Sequence, residues 1–191
     1  MKQWTIVIAV FVFLGAAVPA SAQKIIGVEF KGTEGLEATA LIQGLFKKTE
    51  PVSEESEATV GFYVYGLADR RWAQIHGGLS YNPTKWIGFT AGVGTEVDKN
   101  PWRTAASVWA AGHGNSAFVA FEYGGSGLWY RAHYLYAVHD RVEVGVFSRR
   151  FSPTGPFAQV KLVEWLSTFV VAGPNLETGK KTLVVGLDVA F

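Results

Sequence analysis

An all-β protein, closed into an antiparallel transmembrane β-barrel of about ten strands with a range of eight to twelve, is the fold class this sequence predicts. Three observations predict it. The first is residues 127–149, where the side chains alternate with a period of two. Leu128, Tyr130, Ala132, Tyr134, Tyr136 and Val138 share one side, and Trp129, Arg131, His133, Leu135, Ala137 and His139 the other. After a turn at His139-Asp140, Val142, Val144 and Val146 oppose Arg141, Glu143, Gly145, Phe147 and Arg149. A period of two puts alternate residues on opposite faces of a strand. One face is almost wholly apolar, while the other carries too many charges for the core of a soluble sandwich. Lipid outside and a polar lumen inside satisfy both faces.

The second observation is composition. The 191 residues include 22 Gly, 7 Trp, 7 Tyr and 13 Phe, a Gly- and aromatic-rich mixture suited to many short strands. The third is that no apolar run after residue 22 is long enough for a spanning helix, so any crossing must be made by strands. There is no cysteine, which leaves stability to a large core or a closed barrel. Without Lys2 the acidic and basic residues balance, and no clustered basic face points to nucleic acid.

Residues 1–22 read as an export signal. Lys2 supplies the positive start, residues 4–18 the apolar run, and Ala20-Ser21-Ala22 a small-x-small cleavage site. Residues 23–57 are expected to be a separate N-terminal segment: extra strands, or a plug or periplasmic element. Ile26, Val28 and Phe30 alternate with Gly27, Glu29 and Lys31 as a short strand. Residues 36–46 fit both a strand face (Leu36, Ala38, Ala40, Ile42, Phe46) and a helical face (Ala38, Leu41, Leu45). Residues 47–57, rich in Glu and Ser, read as a solvated loop.

The barrel is expected over residues 58–191. Val60, Phe62 and Val64 oppose Thr59, Tyr63 and Tyr65. Ala73, Ile75, Leu79 and Tyr81 oppose Gln74, His76 and Ser80. Ile87, Phe89, Ala91 and Val93 oppose Gly88, Thr90, Gly92 and Gly94, and Trp102 to Ala110 alternate with Arg103 to Trp109. Ala117 to Tyr123 oppose Ser116 to Glu122, and Ala158, Val160 and Leu162 oppose Phe157, Gln159 and Lys161. Residues 166–172 are a short apolar run, and Leu183, Val185, Leu187, Val189 and Phe191 share a face opposite Asp188. With the opening hairpin these make about ten strands. A ten-residue strand rises roughly 33 Å, or about 23 Å when tilted near 45°, which matches an apolar band of roughly 25 Å.

The last six residues, Gly186-Leu187-Asp188-Val189-Ala190-Phe191, resemble the C-terminal sorting signal of small bacterial outer-membrane β-barrel proteins. Gly186, Val189 and Phe191 carry the likeness, and Val184 departs from it where many members have a polar residue. The resemblance implies an outer-membrane location, outer-membrane lipid around the barrel, and the barrel-assembly machinery as a partner during insertion. Trp72, Trp86 and Trp102 at strand starts, with Tyr81 and Tyr123 at strand ends, suit rings resting at the headgroup level.

Expected lumen residues are His76, Arg103, Glu122, Arg131, His133, Glu143, Arg149, Lys161 and Asp188, pairing across strands as a polar network. The function expected is a structural or small-pore role, with no catalytic residue, metal or cofactor assigned. Two alternatives stay open. His113, Ser116 and Glu122 could form a hydrolytic set like that of lipid A-modifying barrels if they converged. Turned inside out, the same alternation would make a soluble periplasmic lipocalin-like binding barrel. The sequence leaves open whether the lumen is sealed, and the oligomeric state.

Overall fold

The computed structural model describes residues 23–33, 39–53 and 56–191. The expected leader lies outside them. The strands are β1 (Gln23–Thr33), β2 (Thr39–Pro51), β3 (Thr59–Asp69), β4 (Ala73–Thr84), β5 (Ile87–Glu96) and β6 (Trp102–Gly112). They continue as β7 (Asn115–Gly124), β8 (Gly127–His139), β9 (Val142–Arg149), β10 (Gly155–Val163), β11 (Leu166–Pro174) and β12 (Lys181–Ala190). Each pairs antiparallel with the next, and β12 returns to β1, so the sheet closes on itself.

The expected count of about ten is corrected to twelve. The strands expected from residue 58 onward are β3 to β12, and β1 and β2 add two more from residues 23–51. The residues read as either helix or strand belong, where described, to β2. Their ambiguity has a physical source. In β2 the register sets Leu41, Gln43 and Leu45 on the side of Glu29, Gly27 and Ile25's partners, while Ile42 lies opposite, so apolar residues occupy both faces. Alternation is blurred where both faces carry apolar side chains.

Closure runs from Ile25↔Ala190 to Thr33↔Thr182. We call the end holding the start of β1 and the finish of β12 the near end. Four of its connections, after β4, β6, β8 and β10, are two residues long. In the turn after β6, His113 (φ 51°) and Gly114 (φ 76°) both adopt left-handed backbone. That is the type I′ geometry which matches strand twist, and glycine meets it without strain.

The apolar faces point out. Leu79 is 75% exposed and Val93 69%, with Phe62, Phe121, Val146 and Leu187 also on the outside. The charged faces point in: Glu29, Glu96, Arg103, Glu122 and Arg149 are buried. Two inward glycines make room for rings from neighbouring strands. A Cβ on Gly92 would lie 2.7 Å from the Tyr63 hydroxyl, and one on Gly186 would overlap the Phe169 ring. Val184, the residue out of place in a polar-inside pattern, packs with Leu135, Phe147, Phe157, Phe169 and Val171.

Gly186→Ala is therefore expected to cost about 1–3 kcal/mol by overpacking against Phe169. Gly32→Ala, where no atom lies within 4 Å of the new Cβ, is expected to cost nothing measurable. Urea midpoints of protein refolded without cellular factors test this, and equal midpoints would remove the packing role.

Candidate functional site in the lumen

Three groups of side chains pack the far half and middle of the lumen, and toward the near end Lys47 donates to Asn82 Oδ1 at 3.2 Å. The first lies on β3 to β7 and the connections beside them. The Arg103 Nε donates to Glu122 Oε2 at 2.7 Å, and its Nη1 donates to Glu96 and, at 3.0 Å, to Ser126 Oγ. Ser126 turns back on the same carboxylate, its amide donating to Glu96 Oε1 at 2.8 Å and its hydroxyl to Oε2 at 2.6 Å. His76 Nε2 stands 3.5 Å from the other oxygen of Glu122, and its Nδ1 is 3.3 Å from the Tyr63 hydroxyl. Arg103, only 1% exposed, lies over the Trp72 ring. Trp72 therefore faces the lumen side and is not one of the outward girdle rings, a correction to the sequence expectation.

The second group crosses the barrel. Arg131 on β8 and Arg149 on β9 are register partners, and both reach toward β1 and β2. Arg149 grips both oxygens of Glu29, Nη1 at 2.9 Å, and its Nε and Nη2 donate to Ser152 Oγ at 3.0 and 2.8 Å. Arg131 Nη1 donates to Gln43 Oε1 at 3.3 Å, and Gln43 Nε2 donates to Glu29 Oε1 at 3.2 Å. The Tyr65 hydroxyl also donates to Gln43 Oε1, at 3.3 Å. A chain of hydrogen bonds thus runs from β8 to β2, to β1, and back to β9. At the far end, Lys31 donates to the Phe151 carbonyl and draws the 150–154 loop over the mouth.

The third group is apolar and lies on β8 to β12. Phe147, Phe157 and Phe169 stack in sequence with centroids 5.8 and 5.4 Å apart. Sequence parity puts Phe147 and Phe157 inside but gives no face to Phe169, and the stack explains why a polar face tolerates these rings.

Four expected residues lie toward the near end and outside these ion pairs. His133 stacks on Phe118 with centroids 5.3 Å apart. Glu143 is half-buried, and Lys161 is exposed at the mouth. Asp188 is half-buried, and its Oδ1 has no hydrogen-bond partner. Among the described residues none of these three charged groups has a counter-ion within 4.0 Å. Buried, paired charge thus lies in the far half of the lumen, and the charged groups toward the near end are more exposed.

Sequence reasoning missed Glu29, Gln43, Glu96, Tyr65, Ser126 and Ser152 as network members. The parity of Glu29 against Ile26, Val28 and Phe30 held a signal for the first. Ser126 and Ser152 sit in connections, where no periodicity exists. The hydrolytic set does not assemble: His113 is exposed in its turn, Ser116 is six residues along β7 from Glu122, and Glu122 is engaged by Arg103.

Arg103→Met would leave Glu96 and Glu122 buried without their cation. The expected loss is about 3–5 kcal/mol of folding stability, against less than about 0.5 kcal/mol for Glu143→Gln, which breaks no ion pair. Urea titration of the refolded barrel reads both.

No protein-family model and no curated protein matches the sequence. Solved structures do match. The KdgM porin aligns with TM-score 0.52 at 11% identity, over 87% of this chain and 99% of that one. The KdgM porin in complex with disordered oligogalacturonate gives 0.54 at 11% identity over the same shares. The NanC porin in its rhombohedral crystal form gives 0.50 at 10% identity, over 86% of this chain and 98% of that one. At such low identity the likeness speaks for the fold. The resemblance to small bacterial outer-membrane β-barrels holds at that level: the chain has the closed-barrel fold of the KdgM and NanC porins.

Proposed function

We propose that the protein spans the bacterial outer membrane and serves as a narrow pore, without catalysis. One observation carries the reading. Around a closed ring of twelve strands, large apolar side chains face outward while the buried ion pairs of Glu29, Glu96, Glu122, Arg103 and Arg149 lie in the interior. Hydrocarbon requires this arrangement, because a closed barrel leaves no backbone group unpaired at an edge. A soluble lipocalin-like barrel would turn Val142, Val144 and Val146 inward and the arginines out. Here Val146 is exposed and Arg149 is buried. Trp86 and Trp102, with Tyr81 and Tyr123, remain exposed and suit the two interfaces. The porin names of the fold neighbours support a transport role.

A sealed, purely structural barrel is the second reading, favoured by the hydrogen-bond chain across the lumen. In either case Gly186, Val189 and Phe191 are proposed as the signal read by the barrel-assembly machinery, with Val189 on the outward face beside Ile26.

Two measurements test this. Leu79→Arg is expected to cost about 2–4 kcal/mol in lipid vesicles, the penalty for a cation on the lipid face near mid-bilayer. An unchanged urea midpoint would put that face in water. In planar bilayers, the refolded wild-type chain is expected to give small, discrete current steps in KCl. Silence from protein shown to be folded by heat-modifiable gel mobility would leave the structural reading.

A further inference from the structure

We infer that Arg131 is the side chain that sets the bore and the charge preference of the lumen, by exchanging between Gln43 and the carboxylate of Asp188. The inference rests on the pore reading above.

Position comes first. Arg131 lies on β8 and Gln43 on β2, six strands apart in a ring of twelve, so their hydrogen bond spans the barrel from wall to opposite wall. A permeant species must pass this bar.

The two arginines of the bar are held unequally. Arg149 is buried, bonded to both oxygens of Glu29 and twice to Ser152. Charge-assisted bidentate bonds of this kind are the strong ones. Arg131 is only half-buried, and its bond goes to one neutral amide oxygen that the Tyr65 hydroxyl also uses. Its Nε has no hydrogen-bond partner among the described residues. The rest of its hold is the faces of Phe118 and Phe147, 5.8 and 5.7 Å from the guanidinium carbon. Rings grip a cation without fixing its direction. Arg149 is the fixed half of the bar and Arg131 the movable half.

A second seat is present. Among the described residues, Asp188 Oδ1 has no hydrogen-bond partner. It shares its surroundings with Gln43: a Cβ on Gly27 would lie 2.5 Å from Asp188 Oδ1 and 2.8 Å from Gln43 Nε2. The carboxylate therefore sits beside the amide that Arg131 now holds. Moving to it carries the guanidinium from the β2 side toward β12.

Charge matching gives the selectivity. Glu29, Glu96, Glu122, Arg103 and Arg149 all stand in ion pairs. Arg131 and Asp188, on either side of the bar, have no counter-ion within 4.0 Å among the described residues. Neutralising one leaves the other to act on passing ions, and a ring of fixed charge at a constriction decides which sign passes.

The test uses the full chain refolded into planar bilayers under a KCl gradient, with folding verified by gel mobility. Arg131→Gln is expected to raise single-channel conductance at least about twofold and shift the reversal potential toward cations, because Asp188 is then unopposed. Asp188→Asn is expected to shift it toward anions without raising conductance. Arg131→Lys retains the wild-type preference, which a purely structural role would not require. Should Arg131→Gln fail to fold, Gln43→Ala removes the same bridge from the opposite wall and is expected to raise conductance. Folded variants with wild-type conductance and reversal potential would overturn the role of Arg131 while leaving the pore intact. Folded wild type and variants that all stay silent would overturn the pore reading, and this inference with it.

Discussion

The pairing of β1 with β12 is the interaction on which the rest depends. Nine residue pairs, from Ile25↔Ala190 to Thr33↔Thr182, join the two ends of the sheet and leave no exposed strand edge. Once the ring is shut, every strand has one face toward a common interior and one toward the surroundings. Alternation then becomes a sorting rule. Arg103, Glu122 and Arg149 go in together, and Leu79, Val93 and Val146 go out together, because a one-residue slip would reverse a whole strand.

Confinement creates the second problem, which is charge. A buried ion stripped of water is costly unless a counter-ion and hydrogen bonds replace its hydration. The barrel meets this requirement with compact clusters rather than scattered pairs. Arg103 serves two carboxylates, and Ser126 supplies extra donors to one of them. Arg131 and Arg149 are like charges in register on adjacent strands, a destabilising juxtaposition on a sheet face. Glu29 neutralises one, and the aromatic faces of Phe118 and Phe147 shelter the other. The bar across the lumen follows from this need for partners: Arg131 takes an acceptor on β2 and Arg149 one on β1.

Space is handled by omission. Gly92 leaves room for Tyr63, and Gly186 for Phe169, so rings lie against the wall instead of filling the axis. The stacked phenylalanines and Val184 form a small apolar core on one side of a largely polar interior. That core explains why Val184 departs from the usual composition of a terminal strand. Its neighbours inside are Val171 and Phe169, and a polar group there would be buried unpaired.

Much of this was legible in the sequence. Period-two alternation gave β3 to β10 and β12 and the facing of their residues, since strand geometry alone fixes which side chains share a side, while residues 166–172 read only as an apolar run. It pointed His76, Arg103, Glu122, Arg131 and Arg149 inward on that basis. It could not resolve β2, where Leu41 and Ile42 put apolar groups on both faces, nor recognise Trp72 as inward from its place at a strand start. Partnership lay beyond it altogether. That Arg131 meets Gln43, 88 residues away, and Arg149 meets Glu29, 120 residues away, depends on which strands face one another across the closed ring. Local periodicity carries the face of each residue; only closure, by fixing the distance and direction across the lumen, decides its partner.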